Sequence, residues 1–272
     1  LLAEKEIPVI PVTSKTCLEL LTLRRELNNR HPFVVENGAA IYFPENYFLE
    51  NNSLKESIPA TTNDTNTIDY HEEEASLQVY HLGQPRAYWC ELLESLEPAL
   101  QSAFLSFSAL GVDGIVKETG LPLTSATRAN QREASEPVKW LGSQETLEHF
   151  VLRIEAHGGQ VLRGGRFLHI LDQKASKGNA LEWIKKQYQS SVSENAIYTI
   201  ALGDADNDIS MFTVAQMAIV IRSHHHALPD TSALSNVFIS KQFGPSGWNE
   251  SILEIAGRYF SCLLYTSDAA DE

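Results

Sequence analysis

The sequence predicts an α/β fold, with a Rossmann-like core around a mostly parallel sheet and a smaller α+β domain inserted into it. Two observations predict this class. Apolar strand-like runs alternate with amphipathic helices in residues 1–82 and 174–261, a pattern that favours a parallel sheet covered by helices. Residues 83–173 instead contain short strands next to glycine-rich turns, which is typical of antiparallel pairing. We therefore predict a core built from the two outer ranges and a cap from 83–173.

The composition excludes several classes of protein. The chain of 272 residues has 21 basic and 35 acidic side chains, a formal net charge of −14. This balance argues against sequence-independent nucleic-acid binding, which needs clustered Lys and Arg. No apolar run is long enough to cross a bilayer. The three cysteines are too scattered for a disulfide framework, which favours a reducing compartment. We expect a cytoplasmic protein with no nucleic-acid or membrane partner, and its oligomeric state stays unknown.

The first elements of the core surround a cluster of hydroxyl groups. Residues 7–12 form a short β-branched apolar run, which predicts a buried strand. The next predicted element is a helix over 17–27, so the polar residues 13–16 lie at a strand-to-helix turn. Hydroxyls and free N–H groups at such a turn form an anion site.

A hairpin is predicted next, because Asn37-Gly38 lies between the apolar runs 33–35 and 40–43 and Asn-Gly is a strong signal for a tight turn. Residues 50–76 are polar, and we interpret them as a surface loop or flap.

The cap and the rest of the core follow from periodicity and turn residues. In the cap we predict helices over 88–100, 112–119, 125–132 and 145–157, and strands over 103–107, 137–141, 160–163 and 167–171. The last two strands flank Gly164-Gly165-Arg166. The core then resumes with a helix over 177–189, a strand over 197–202, a helix over 209–215 and a strand over 218–221.

A loop with three carboxylates in five residues, from Asp204 to Asp208, follows the strand over 197–202. In an open α/β sheet, ligands bind at the carboxyl ends of the strands. Clustered carboxylates repel one another unless a cation compensates, and oxygen ligands suit Mg²⁺. A calcium loop would need Gly and Glu where Ile209 and Ala215 stand. Helix capping explains one of the acids but not all three. The loop therefore predicts a magnesium site.

Lys177 lies in the first turn of a predicted helix, where a cation opposes the helix dipole. Pairing with a phosphate would explain it, although a surface lysine is the better explanation of this position taken alone. Thr13 is ambiguous in the same way. The order of a hydroxyl after a strand, a lysine at a helix start and paired acids after a later strand favours phosphate chemistry.

These motifs together resemble the haloacid dehalogenase-like phosphatases with an α+β cap, and more closely the mannosyl-3-phosphoglycerate phosphatases. The similarity spans residues 7–222. The motifs that carry it are Val12-Thr13-Ser14-Lys15-Thr16, Val35-Glu36-Asn37-Gly38-Ala39-Ala40-Ile41-Tyr42, Gln131-Arg132-Glu133-Ala134-Ser135-Glu136-Pro137, Gly164-Gly165-Arg166-Phe167-Leu168-His169, Ser176-Lys177-Gly178 and Gly203-Asp204-Ala205-Asp206-Asn207-Asp208.

The resemblance implies a role for each matching residue. Thr13 would hydrogen-bond the transferring phosphoryl group and Lys177 would neutralise its charge. Asp204, Asn207 and Asp208 would bind Mg²⁺ or orient its ligands. The residues implied in binding the phosphorylated sugar are Ser14, Lys15, Gln131, Arg132, Ser135, Glu136, Gly164, Gly165 and Arg166. The implied reaction is hydrolysis of mannosyl-3-phosphoglycerate to mannosylglycerate and phosphate through an aspartyl-phosphate intermediate.

The sequence departs from this family at its first motif. An Asp-x-Asp pair at the end of the opening strand supplies the nucleophile and the acid/base in the family, and this chain has neither. We expect the pair in roughly 25 to 35 residues before Leu1, so that the chain as given would be inactive. Residues 262–272 resemble a translated sequencing adapter and are expected to be non-native.

Two alternatives remain open at this point. One is another sugar phosphatase, acting on glucosyl-3-phosphoglycerate or on sucrose or trehalose phosphate. The other is a non-catalytic phosphosugar-binding protein on the same fold. Three further features are expected to be structural: His224-His225-His226 as a solvated loop, Cys17 facing the core, and the tryptophans Trp89, Trp140 and Trp183 as packing residues. For Trp140 a role as a platform for the sugar also stays open, because it is close to the Gln131 segment.

Overall fold

The computed structural model describes residues 1–48, 77–191 and 197–267. The predicted polar loop over 50–76 lies outside them. The chain divides into two compact units, Leu1–Asn195 and Ala196–Glu272, and each is described by itself. The cap boundaries at 83 and 173 remain a prediction.

The first unit opens on an antiparallel sheet of three strands, β1 (Phe33–Val35), β2 (Ala40–Pro44) and β3 (Leu77–His81), in that order. The hairpin predicted at Asn37-Gly38 is confirmed. The strand predicted over 7–12 is wrong in extent, since Val12 makes only a single parallel bridge to Val34. Pro8 and Pro11 account for this, because a proline has no N–H to donate to a strand partner.

A helix packs on each face of this sheet. Helix α1 (Cys17–Glu26) covers Phe33 and Val35, and Cys17 lies in this core as predicted. Helix α7 (Lys177–Ser191) covers Val34 on the other face, with Trp183 packed there. Alternate residues of a strand face opposite sides, so the run Phe33-Val34-Val35 is apolar throughout because both sides are covered.

The cap elements form a four-stranded antiparallel sheet in the order β4 (Phe104–Ser106), β5 (Ser135–Trp140), β7 (Leu168–Asp172) and β6 (Gly159–Arg163). Its helices are α2 (Arg86–Ser95), α3 (Pro98–Gln101), α4 (Phe107–Thr119), α5 (Leu123–Asn130) and α6 (Gln144–Glu155). Trp89, Phe150 and Ile170 lie in one core, against which Trp140 packs, so these tryptophans are packing residues as predicted.

Two cap helices differ from their predicted bounds. The single helix predicted over 88–100 is broken, because Pro98 forces the residue before it out of the helical conformation. Glu97 is extended there, at ψ 144°. Helix α4 begins at Phe107 rather than at 112, capped by Ser106, and Gly111 kinks it with a φ of 60°.

The second unit contains the parallel sheet that the α/β class requires. Strands β8 (Ile200–Gly203), β9 (Met217–Arg222) and β10 (Val237–Phe243) are parallel, in the order β10-β9-β8. The remaining helices of the described part are α8 (Ile209–Val214) and α9 (Gly244–Ser267). Strand β10 was not predicted, and α9 extends into the segment 262–272. Among the described residues, none of the helices combines the length and apolar character of a membrane span.

Candidate active site

The turn Glu36–Gly38, which joins β1 to β2, holds the loop that carries Thr13. All three turn residues have positive φ, at 50°, 60° and 100°. The backbone N–H of Asn37 donates to the carbonyl of Thr13 at 2.9 Å, and that of Glu36 donates to the carbonyl of Lys15 at 3.0 Å. The loop is therefore fixed through main-chain bonds, which do not depend on the identity of its side chains.

The same turn lies against the first residues of α7. A Cβ placed on Gly38 would be 2.2 Å from the carbonyl carbon and oxygen of Ser176 and 2.7 Å from the nitrogen of Lys177. Lys177 itself is only 6% exposed. Its burial removes the surface-lysine alternative, since a buried ammonium needs an anionic or polar environment. Glu36–Gly38 thus positions both Thr13 and Lys177.

The predicted anion site at the start of α1 is partly occupied by the protein's own groups. Thr16 and Glu19 form a capping box, in which the N–H of Glu19 donates to the Thr16 hydroxyl at 3.3 Å and the N–H of Thr16 donates to the Glu19 carboxylate at 2.9 Å. Lys15 pairs with the same carboxylate at 3.6 Å and stays largely exposed. The Thr13 hydroxyl accepts the N–H of Lys15 at 3.2 Å. Two of the N–H groups expected to be free are therefore used by the capping box.

From the cap, Arg132 reaches this loop. Its side chain is 6% exposed, lies 3.9 Å from the Glu36 carboxylate and donates to the carbonyl of Ser14 at 3.2 Å. The Thr16 hydroxyl also donates to the carbonyl of Arg128 at 2.9 Å. The predicted residues Ser14 and Arg132 are thus in direct contact, while Gln131 is exposed at the end of α5.

Ser135 and Glu136, also predicted to bind substrate, are completely buried. The Ser135 hydroxyl donates to the Glu36 carboxylate at 2.6 Å. The Glu136 carboxylate accepts from Arg86 Nε at 2.5 Å and from the N–H of Ser108 at 2.7 Å. The Glu136 side chain therefore organises the interior of the cap, whereas the Ser135 side chain bonds the cap to the turn Glu36–Gly38. Sequence reasoning missed Arg86, whose position near a predicted helix start carried no distinctive signal.

Gly164, Gly165 and Arg166 form the exposed turn between β6 and β7, so the hairpin predicted around them is confirmed. The N–H of Gly164 donates to the carbonyl of Phe167 at 2.8 Å. The Arg166 guanidinium donates to the carbonyls of Glu118 and Thr119 at 3.2 and 3.1 Å. These carbonyls lie at the end of α4, where a helix leaves its last carbonyls without intrahelical partners. Arg166 is thus held in place while remaining exposed.

His169, on β7, was not predicted as a site residue. Burial, aided by the nearby Arg132 charge, lowers its pKa from 6.5 to about 3. The imidazole is therefore neutral at physiological pH, and it places an uncharged polar ring beside the Arg132 guanidinium. His169 could have been predicted from its place at the end of the motif that runs from Gly164 to His169.

In the second unit, Asp208 organises the acidic loop. Its Oδ2 accepts the N–H groups of Asp204 and Ala205 at 2.9 and 3.1 Å, and the residue is 5% exposed. A Cβ on Gly203 would lie 2.4 Å from the Asp208 carboxyl carbon, so only glycine permits this closure. Asp208 therefore closes the loop that precedes α8, and its side chain makes no capping bond to α8 itself.

Asp204 projects from the same loop with its side chain 47% exposed, and Nε2 of His226 lies 3.0 Å from its carboxylate. His224 stacks on Phe243, with ring centroids 4.2 Å apart. All three histidines are exposed in a loop, as predicted, but His224 and His226 each have a partner that the sequence did not indicate. The three adjacent histidines were visible in the sequence, but the residues that they contact could be identified only from the tertiary structure.

The donors at this loop suit a hard cation, because the Asp204 carboxylate and the Asn207 amide offer oxygen ligands. Within the described ranges, however, no three or more His, Cys, Asp or Glu side chains are grouped to hold a metal. A Mg²⁺ ion at this loop would therefore need further oxygen ligands, from water or from other carboxylates.

Two solved structures share this fold. A haloacid dehalogenase-like hydrolase from B. subtilis superposes with a TM-score of 0.53 at 17% identity, over 88% of this chain and 84% of that chain. A protein from Streptococcus mutans UA159 gives a TM-score of 0.58 at 16% identity, over 96% and 88%. At these identities the likeness establishes the fold alone. The chain therefore has a haloacid dehalogenase-like fold.

Sequence comparison identifies the family within that class. The chain is 30% identical over 258 residues to a glucosyl-3-phosphoglycerate/mannosyl-3-phosphoglycerate phosphatase from Methanococcoides burtonii, covering 95% of this chain and 88% of the relative. A protein of the same name from Persephonella marina is 29% identical over 252 residues, covering 93% and 86%. A family model described as sucrose-6F-phosphate phosphohydrolase matches residues 142–253. The chain belongs to the glucosyl-3-phosphoglycerate/mannosyl-3-phosphoglycerate phosphatase family, and it is a phosphoric monoester hydrolase.

Proposed function

We propose that this protein hydrolyses the phosphate ester of a glycosyl-3-phosphoglycerate, with mannosyl-3-phosphoglycerate as the first candidate substrate, to give the glycosylglycerate and inorganic phosphate. The observation that carries the proposal is the turn Glu36–Gly38. It contacts the backbone of Thr13 through Asn37 and the backbone at Lys177 through Gly38. One turn thus contacts the backbone segments that carry a hydroxyl and a buried ammonium, which supports the proposal because phosphoryl transfer needs such groups to be prearranged.

Each group has a specific task in this proposal. The Thr13 hydroxyl donates to a phosphoryl oxygen, and the Lys177 ammonium neutralises the negative charge of the phosphoryl group. Prearranged donors and charges of this kind supply most of the acceleration in phosphoryl transfer. As in the family, the phosphoryl group would pass to an aspartate of the Asp-x-Asp motif and then to water, so that the ester bond breaks first and the acyl phosphate second.

The cap supplies the selectivity for the sugar-glycerate part. The proposed contacts are Gln131 and the exposed turn of Gly164, Gly165 and Arg166, whose backbone N–H groups and guanidinium suit hydroxyl and carboxylate oxygens. Arg132 and Ser14 hold each other at 3.2 Å where the cap meets the loop. The buried Ser135 and Glu136 act on the substrate indirectly in this proposal, by holding these segments.

Asp204 and Asn207 would hold Mg²⁺, with Asp208 keeping their loop closed. When bound, the cation would polarise the phosphoryl oxygens and orient the attacking group. Removal of divalent cations with a chelator should abolish phosphate release, and added Mg²⁺ should restore it.

The substrate is tested with the product of the full reading frame, by measuring phosphate release from mannosyl-3-phosphoglycerate, glucosyl-3-phosphoglycerate, sucrose-6F-phosphate and trehalose-6-phosphate. We expect kcat/KM for a glycosyl-3-phosphoglycerate to exceed that for the other two esters at least about tenfold, or about 1.4 kcal/mol of transition-state binding. The reverse order would overturn the substrate assignment. It would favour the second candidate, a sucrose-phosphate phosphatase, which the family match over 142–253 supports.

Matched lysine variants test the catalytic assignment. Lys177→Met should lower kcat by about 100-fold or more, as loss of a transition-state charge partner does. Lys186→Met, in the exposed part of the same helix, should leave kcat unchanged. Equal activities of the two variants would contradict the role of Lys177. Binding of the sugar phosphates without hydrolysis by the wild-type protein would instead favour the non-catalytic alternative.

A further inference from the structure

We propose that Glu36 is a positioning residue of the phosphatase reaction. Its carboxylate holds the cap segment 132–135 on the loop that carries Thr13 and Ser14, and so sets the place of the cap's substrate contacts relative to the phosphoryl-binding groups. The inference rests on the proposed function and adds to it a residue that touches no substrate.

The side-chain contacts of Glu36 come from one short segment of the cap. Its Oε1 accepts the N–H of Glu133 at 2.8 Å. Its Oε2 accepts the Ser135 hydroxyl at 2.6 Å and the N–H of Ala134 at 3.3 Å. The Arg132 guanidinium lies 3.9 Å from Oε2. The hydrogen-bond donors among these partners lie 97 to 99 residues from Glu36 along the chain, so the carboxylate joins two distant parts of the fold.

The contacts close into a ring that includes the phosphoryl-binding loop. Arg132, placed beside Glu36, donates to the carbonyl of Ser14 at 3.2 Å. The N–H of Glu36 donates to the carbonyl of Lys15 at 3.0 Å. Glu36 thus holds the loop with its backbone and the cap with its side chain. A displacement of segment 132–135 would shift Arg132 relative to Ser14, the residue next to Thr13.

Burial and conformation argue that the carboxylate itself is required. Glu36 is 1% exposed, and a buried carboxylate is tolerated only when it is paired and hydrogen-bonded. Apolar side chains would stabilise such a site equally well, but they lack the directional bonds that fix the cap segment. Glu36 also has a φ of 50°, an unfavourable value for a residue with a side chain, and such strain is concentrated at functional sites.

The test compares two substrates on the full-length enzyme. One is the sugar phosphate that the wild-type enzyme hydrolyses best, which needs the cap, and the other is 4-nitrophenyl phosphate, which is too small to depend on cap contacts. Glu36→Gln should lower kcat/KM for the sugar phosphate by about 10- to 100-fold, the effect of misplaced binding groups, with a several-fold smaller loss on 4-nitrophenyl phosphate. Equal losses on both substrates, with a lower Tm, would mean a purely structural role and would overturn the proposal.

Two further single variants and one double variant complete this test. Ser135→Ala removes one donor to Glu36 with little change in volume, and it should show the same substrate-dependent loss to a smaller degree. The double variant should lose less than the product of the two single effects, because the residues act through one contact. Glu97→Gln is the control, since this carboxylate pairs only with His149 and Arg153 on the cap surface among its described ion pairs. It should leave both activities unchanged.

A measurement without substrate separates this proposal from the proposed function. Amide hydrogen exchange at Glu133 and Ala134 should accelerate in Glu36→Gln, because their N–H groups donate to the altered side chain. Unchanged exchange would overturn the positioning role even in an active enzyme. Accelerated exchange in a protein that hydrolyses no sugar phosphate would leave the contact established, while the function proposed above would fail.

Discussion

Gly38 lies so close to Ser176 that a Cβ on the glycine would be 2.2 Å from the serine carbonyl carbon. Real side-chain atoms do not approach backbone atoms so closely, since dispersion contacts are optimal at about 3.5–4.0 Å. The peptide before Lys177 can therefore reach the β1–β2 turn only because residue 38 is a glycine. Through this contact, a turn residue determines where the proposed phosphate-neutralising lysine stands.

Gly38→Ala should destabilise the protein and lower its activity. The new methyl group would collide with backbone atoms of Ser176 and would add strain at a φ of 100°. We expect a loss of at least about 3 kcal/mol in the free energy of unfolding, measured by urea denaturation, together with a fall in kcat.

Gly120→Ala is the matched control for this prediction. Gly120 also has a positive φ, 74°, but a Cβ there would meet nothing within 4 Å. It should therefore cost only the conformational penalty, about 1 kcal/mol, with little effect on kcat. Similar costs at the two glycines would show that the contact with Ser176 is unimportant.

Asp208→Ala should open the acidic loop, because the N–H groups of Asp204 and Ala205 would lose their acceptor. A buried donor left unpaired costs about 1–3 kcal/mol, and these half-buried donors should cost an amount near the lower end. Asp208→Asn should lose much less, since the amide oxygen can replace Oδ2. Urea denaturation measures both variants, and equal losses would contradict the role of Oδ2 as the acceptor that closes the loop.

Asp172→Ala should loosen the segments at Gln84 and Lys174, which lie at the predicted boundaries between core and cap. The Asp172 carboxylate accepts the N–H of Gln84 at 3.1 Å and that of Lys174 at 2.9 Å, so one side chain is bonded to both segments. Amide exchange at these two positions should accelerate, with a loss of about 2 kcal/mol in stability. Asp113→Ala, at an exposed site on α4, is the control and should change neither quantity.

His169 predicts a specific dependence of stability on pH. Its pKa is about 3 in the folded protein against 6.5 for the free side chain, so between these values the unfolded chain binds a proton that the folded protein does not. Stability therefore falls as pH decreases through 6.5. The contribution from this histidine is about 2 kcal/mol between pH 7 and pH 5.

The variant His169→Gln tests this sign, because glutamine does not titrate. Its unfolding free energy should depend less steeply on pH between 7 and 5 than that of the wild-type protein, as measured by urea denaturation at each pH. Identical slopes would show that His169 is not the group responsible.

Local patterns predicted most of the secondary structure. Asn37-Gly38 predicted its hairpin, and Gly164-Gly165 its turn, because turn chemistry depends on adjacent residues. Strand β10 was missed. Of its residues only Ser240 is buried, while Phe238 and Ile239 are exposed, so it lacks the alternation that marks a half-buried strand. The helix break at Pro98 was readable from the sequence, since a residue that precedes proline rarely stays helical.

The candidate site was predictable as residue types but not as an arrangement. The order of Thr13, Lys177 and the acidic loop pointed to phosphate chemistry. Glu36 had a weaker signal, a charged residue between an apolar strand and an Asn-Gly turn. Its hydrogen-bond donors lie 97 to 99 residues away along the chain. A local sequence pattern cannot predict such contacts, so they were visible only in the folded chain.

By itself the sequence determined the α/β class and the hairpin at Asn37-Gly38, because these depend on neighbouring residues. It also predicted which residues could bind phosphate or metal. Only the tertiary structure decided which polar groups are buried: Lys177 beside the turn, Ser135 on Glu36, and Glu136 on Arg86. Burial of a polar side chain is possible only when partners from elsewhere in the chain satisfy it. Those partners are brought together by packing over long sequence separations.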